Sequence, residues 1–133
     1  MKTILTVLLL LFSQLGFGQE SKKARALNDA GSAILQLMQE YPDCNTRQNF
    51  YAAINYLEQA VAEDPENLEF SQNLGNCYYH WFLGLNAKST TADLSDAQFM
   101  EIHEEMKTYA SRAAYLLQKT TPKTSTETPG MQD

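Results

Sequence analysis

Two histidines, two cysteines and one aromatic run are the residues best suited to chemistry in this 133-residue chain. A zinc site on a helix needs a second ligand three or four residues from the first, or a Cys/His cluster. His80 has Asn76, Tyr78, Tyr79 and Trp81 around it, and none of these is a good ligand. His103 is followed by Glu104, with Lys107 four residues on, and no HExxH pattern surrounds it. No metal site is therefore expected. A nucleophile needs a base and a group to orient that base. Serine and threonine concentrate in polar connecting segments, and no GxSxG, Walker loop or Cys-His signature occurs. The acidic pairs Glu63-Asp64 and Glu104-Glu105 are adjacent, so a helix splays them apart and they read as solvated faces. The expectation is a protein that is not an enzyme and binds no cofactor.

The run from Tyr78 to Phe82 is the most suggestive stretch for ligand contact. Tyr78, Trp81 and Phe82 lie near one face of a helix and suit a core. Tyr79 and His80 point elsewhere and are candidates for an exposed contact.

Four segments have the three- and four-residue apolar spacing of amphipathic helices, and almost nothing reads as strand. The first spans about Ser21 to Tyr41, with a stripe of Leu27, Ala30, Ile34, Leu37, Met38 and Tyr41, and Pro42 stops it. The second spans about Thr46 to Glu63 on Phe50, Ala53, Ile54, Leu57, Ala60 and Val61. Asp64 is placed to cap the third, with Pro65 at its first position. The third runs from about Glu66 to Leu85 on Leu74, Tyr78, Trp81, Phe82 and Leu85, broadened by Phe70, Cys77 and Tyr79. Asn86 to Leu94 reads as a polar linker. Ser95 with Gln98 forms a capping box for a fourth helix to about Lys119, with Phe99, Ile102, Met106, Tyr109, Ala110, Ala113, Leu116 and Leu117 at helical spacing. Residues 121–133 are rich in Thr and Pro and are expected to be a disordered tail.

Residues 1–18 have the three-part pattern of a secretory signal: Lys2, an apolar run from Ile4 to Phe12, then Gly16 and Gly18 before a cut at Gln19. The run is about half of the roughly 20 residues that span a bilayer, which favours cleavage over anchoring. No cysteine near the cut could accept a lipid. The expected product is a periplasmic or secreted domain over 19–120, with no stable membrane insertion. Its composition is ordinary for a globular protein, at 44% hydrophobic and 20% charged. The charge of −6 disfavours nucleic acid and anionic lipid as partners.

An internal repeat is visible. Ala53, Leu57, Ala60 and Pro65 form a small–large–small–proline pattern, followed by Leu74-Gly75-x2-Tyr78. Ala30-Gly31-x2-Ile34 and Ala110, Ala114, Leu117 and Pro122 repeat the theme weakly. The chain resembles tetratricopeptide repeat proteins, best over residues 50–82. The Leu-Gly-like pairs are 44 residues apart and the Ala-Pro patterns 57, against a family period of about 34. The resemblance implies an all-α fold of two stacked antiparallel helical hairpins. With a 34-residue register, Cys44 lies level with Cys77 and a disulfide is conceivable. With the 44-residue register of the glycines, Cys77 is level with Ala33 and Cys44 lies roughly 15 Å further along, out of reach. The second register keeps both glycines equivalent.

Such stacks present a concave face built by the first helix of each hairpin. Here it draws on Asn28, Ser32, Leu35 and Gln39 of the first helix, and on Ser71, Gln72, Asn76 and Tyr79 of the third. Asn28, Ser32, Gln72, Asn76 and Tyr79 are the expected partner-binding residues. Their amide and aromatic chemistry suits a peptide backbone or polar segment. The leading expectation is an exported, non-catalytic interaction module for a protein or peptide. The alternative is a helical bundle holding a small apolar ligand against Tyr78, Trp81 and Phe82.

Overall fold

Each helix begins where a short polar side chain can accept a free N–H of the first turn. In the computed structural model, which describes residues 21–120, α1 (Lys22–Glu40) is capped by Ser21, whose Oγ accepts the Ala24 N–H at 3.2 Å. Pro42 ends α1 and opens a 3-10 turn, Pro42–Cys44. Thr46 caps α2 (Arg47–Glu63) by accepting the Asn49 N–H at 3.2 Å. Asn67, not Asp64, caps α3 (Leu68–Thr91), through the Phe70 N–H at 3.2 Å. Asp64 instead ends α2, and its carbonyl accepts the Asn67 N–H in the turn. The capping box forms as expected before α4 (Asp96–Thr120): Gln98 N–H donates to Ser95 Oγ, and Ser95 N–H to Gln98 Oε1.

The expected linker at Asn86 is helical as far as Thr91. Its hydroxyls are accommodated on the helix. Ser89, Thr90 and Thr91 donate to the carbonyls of Asn86 and Ala87, so the polar side chains bond back onto the preceding turn.

The architecture is all-α. Four helices form two antiparallel hairpins, α1–α2 and α3–α4, packed on each other mainly through α2 and α3, and no strand occurs among the described residues. The expected signal at 1–18, the cut at Gln19 and the tail at 121–133 lie outside the described residues. No described helix is long and apolar enough to cross a membrane.

In each hairpin a glycine of the first helix meets a leucine of the second. A Cβ on Gly31 would stand 2.6 Å from Leu57 Cγ and 3.0 Å from the Ala53 carbonyl oxygen. A Cβ on Gly75 would stand 3.0 Å from Leu117 Cγ and 3.1 Å from Leu116 Cβ. The close approach at Gly31 rotates α1. Its buried residues are Ala24, Asn28, Gly31, Leu35 and Met38, of which only Met38 is in the expected stripe; Leu27, Ala30 and Ile34 lie half-buried at the edge of this face. Leu37 and Tyr41 are left exposed. Phe99 is also exposed. In the register set by Gly75 and Leu117 it lies beyond the end of α3, and it stacks on His103 instead.

The hairpins are joined by an aromatic cluster. Phe50 of α2 stacks on Trp81 of α3 (5.0 Å, 11°) and meets Tyr109 of α4 edge-on (5.0 Å, 82°). Tyr78 stacks on Tyr109 at 5.7 Å. Phe50 is fully buried.

Gly31→Ala is expected to destabilise the fold by about 1–3 kcal/mol, because overpacking outweighs the gain of nearly 1 kcal/mol in helix propensity. Urea denaturation checks this, and a raised midpoint would remove the close-packing account.

Candidate functional site

The face expected to bind a partner depends on how α1 and α3 lie. They run parallel, offset by 44–45 residues. Arg25 pairs with both carboxylate oxygens of Glu69 (2.9 and 3.0 Å), and Asn73 Nδ2 donates to Asn28 Oδ1 at 3.0 Å. The Arg25 guanidinium also covers the Phe70 ring at 5.0 Å. This offset matches the glycine register, and Cys44 and Cys77 are both free thiols.

The seam corrects one expected site residue. Asn28 is 2% exposed, so it serves the fold. The rotation imposed at Gly31 turns its amide inward, where burial is tolerable because Asn73 supplies a hydrogen bond. Ser71 and Leu35, also expected on the open face, are buried. Ser32 and Asn76 are half-buried, and Gln72 and Tyr79 are exposed, Tyr79 at 48%. Ser32 Oγ is buried without a hydrogen-bond partner. Gln72, Asn76, Tyr79 and Leu83 follow one another along the outer side of α3 at four-, three- and four-residue steps, and Leu83 is exposed. The Tyr79 ring stacks on Phe82 at 6.2 Å, which fixes its direction. Sequence reasoning missed Asn73, Leu83 and the Phe82 support. The offset between the two glycines was the signal that could have paired Asn28 with Asn73.

Tyr78, Trp81 and Phe82 do not share one wall. Tyr78 and Trp81 pack on Phe50 and fill the space between the hairpins. Phe82 leans on the core edge and stacks with Tyr79.

A concavity of about 290 Å³ lies between the start of α2 and the end of α3, lined by Asn45, Thr46, Arg47, Trp81, Gly84, Leu85 and Lys88. Arg47 is committed there. It pairs with both oxygens of Glu105 (2.6 and 2.9 Å) and lies over the Trp81 and Tyr51 rings. The carboxylate pushes the Arg47 pKa further above its ordinary value, so this charge is permanent and already matched. Among the described residues no three His, Cys, Asp or Glu side chains are placed to hold a metal ion.

Buried polar groups here are held neutral. Burial pushes the Cys77 thiol up to about 12, and the Glu58 charge adds to the shift. Burial likewise pushes the Tyr78 hydroxyl up to about 12, with Glu58 raising it and Arg112 opposing. Cys77 is thus a packed side chain whose thiol is held protonated at neutral pH.

No protein-family model, curated protein or solved structure matches this chain.

Two outcomes are expected. Asn28→Ala should cost about 1–3 kcal/mol by stranding Asn73, whereas Gln72→Ala should stay within about 0.5 kcal/mol. Thermal melts of both variants check this, and equal effects would mean that Asn28 is not a seam residue. The folded thiol and phenol both ionise above their unfolded values of 9.0 and 10.0. Between about pH 9 and 12 the unfolded chain therefore binds fewer protons, and stability falls as pH rises. Urea midpoints measured across that range should decline, and more shallowly for Cys77→Ala referenced to its own value at pH 8.

Proposed function

We propose that this chain is an exported, non-catalytic interaction module of tetratricopeptide-like build that binds a protein or peptide partner on the face shared by α1 and α3. The observation that carries the reading is the stripe Gln72, Asn76, Tyr79 and Leu83. It sets the exposed Gln72 amide, the half-buried Asn76 amide and the exposed Tyr79 ring at helical spacing along α3, with the ring stacked on Phe82. Side-chain amides can match the donors and acceptors of an extended backbone, and a preset aromatic ring offers contact area at low entropic cost. The parallel α1–α3 pair and the matching roles of Gly31 and Gly75 support the resemblance to stacked helical repeats. Export rests on the signal-like pattern of residues 1–18. A small apolar ligand at Tyr78, Trp81 and Phe82 has less support, because Phe50 and Tyr109 occupy the space beside the first two rings.

The test is capture from envelope extract with parent and variant baits, read by mass spectrometry. Tyr79→Ala and Asn76→Ala should keep the melting temperature and lose the partner that the parent retains. A central aromatic contact is worth about 2 kcal/mol or more of affinity. Tyr78→Ala should unfold the domain instead. A Tyr79→Ala variant that captures the same partner as well as the parent would place the site elsewhere.

A further inference from the structure

The rotation of α1 leaves an apolar stripe at the rim of the core, where Leu27 and Ile34 lean on the core half-buried and Leu37 and Tyr41 stand exposed. The residues one position before the buried set are Leu27, Ala30, Ile34 and Leu37, continued by Tyr41. Arg25 and Asn28 mark the side of α1 that meets α3, and Lys23, paired with Glu63 of α2, marks the opposite side, where this stripe lies. Leu37 is 42% exposed and Tyr41 55%. Tyr56, seven residues before Glu63 and so on the same edge of α2, is 38% exposed.

The charges on α1 are placed against its own dipole. Its first turn holds Lys22 and Lys23 and no acid, and its last turn holds Glu40 and no base, with Asp43 just beyond. Cations at a helix N-terminus and anions at its C-terminus are unfavourable. An antiparallel helix with the same charges reverses the sign at both ends.

We propose that this edge binds a second copy of the chain, with the two α1 helices antiparallel about a twofold axis near the level of Ser32. The stripe is self-complementary when reversed. Leu27 meets Leu37 of the second copy, and Ala30 meets Ile34, so a small residue faces a large one on either side of the axis. Lys22 and Lys23 come beside Glu40 and Asp43 of the second copy. The α1–α3 face stays open, so the proposal stands apart from partner binding there.

Sedimentation velocity of the purified protein, its N-terminus fixed by intact mass, over roughly 1 to 100 µM tests this. A monomer–dimer equilibrium is expected. Leu37→Glu should weaken association by about 100-fold or more while the circular dichroism spectrum is kept, since it buries a charge against Leu27 of the second copy. Lys22→Glu suits the α1 dipole, so its melting temperature as a dilute monomer should not fall, yet its dimer should weaken several-fold at low salt. Adding Glu40→Lys to that variant should restore the dimer. A single monomeric species at every concentration overturns the proposal, as does a dimer that Leu37→Glu leaves intact. Failure of Lys22→Glu/Glu40→Lys to recover overturns the antiparallel arrangement.

Discussion

The ring of Phe50 is the contact on which the arrangement of the two hairpins depends. It leaves α2, stacks on Trp81 of α3 and takes the edge of Tyr109 of α4, so one side chain links its own helix to two others. Aromatic pairs of this kind combine large buried area with a preferred geometry. Apolar burial alone would leave the hairpins free to slide. The stacked and edge-on contacts fix their rotation, and Arg47, one turn earlier on α2, ties the same corner to Glu105 of α4. At the other end, Arg25 and Glu69 hold α1 to α3 across a partly exposed surface. Ion pairs so exposed contribute modestly, so they set register more than strength.

Much of the fold was legible because the helix ends are written in local chemistry. Pro42 cannot continue a helix, and Ser95 with Gln98 satisfies two N–H groups reciprocally, whatever the rest of the chain does. The cap of α3 was misread because Asp64 and Asn67 are both competent. The choice between them lies in the turn, where the Asp64 carbonyl accepts the Asn67 N–H. The rotation of α1 was not legible from its leucines. Leu27, Ile34 and Leu37 make the more apolar stripe, yet the packed face is the one holding Gly31 and Ala24. Close approach of two backbones rewards small residues, and a reading by hydrophobicity alone ranks them too low.

The same rotation decides what the candidate face contains. It draws Asn28 into the seam and turns Ser32 only halfway out. On α3, where Leu74, Tyr78, Trp81 and Leu85 are large and buried, Gln72 and Tyr79 are open, Asn76 is half-buried and Ser71 is drawn into the core. Small polar side chains on both helices, Asn28 and Ser71, are buried because neither is bulky enough to resist close packing, while Gln72 and Tyr79 stay outside.

The last two turns of α3 are closed by hydroxyl groups and not by a core. Ser89, Thr90 and Thr91 bond to carbonyls of the preceding turn, and the residues from Asn86 to Thr91 are largely exposed. Backbone hydrogen bonds there are within reach of water and carry little of the global stability. Their amide protons belong to the set that exchanges by local fraying, while those near Phe70 to Trp81 wait for cooperative opening. Lys88 and Gly84 line one wall of the cleft beside Arg47. Of the cleft lining, Lys88 lies in this exposed segment and Trp81 in the aromatic joint, so the cleft runs from the part of α3 that frays to the part that opens only with the fold.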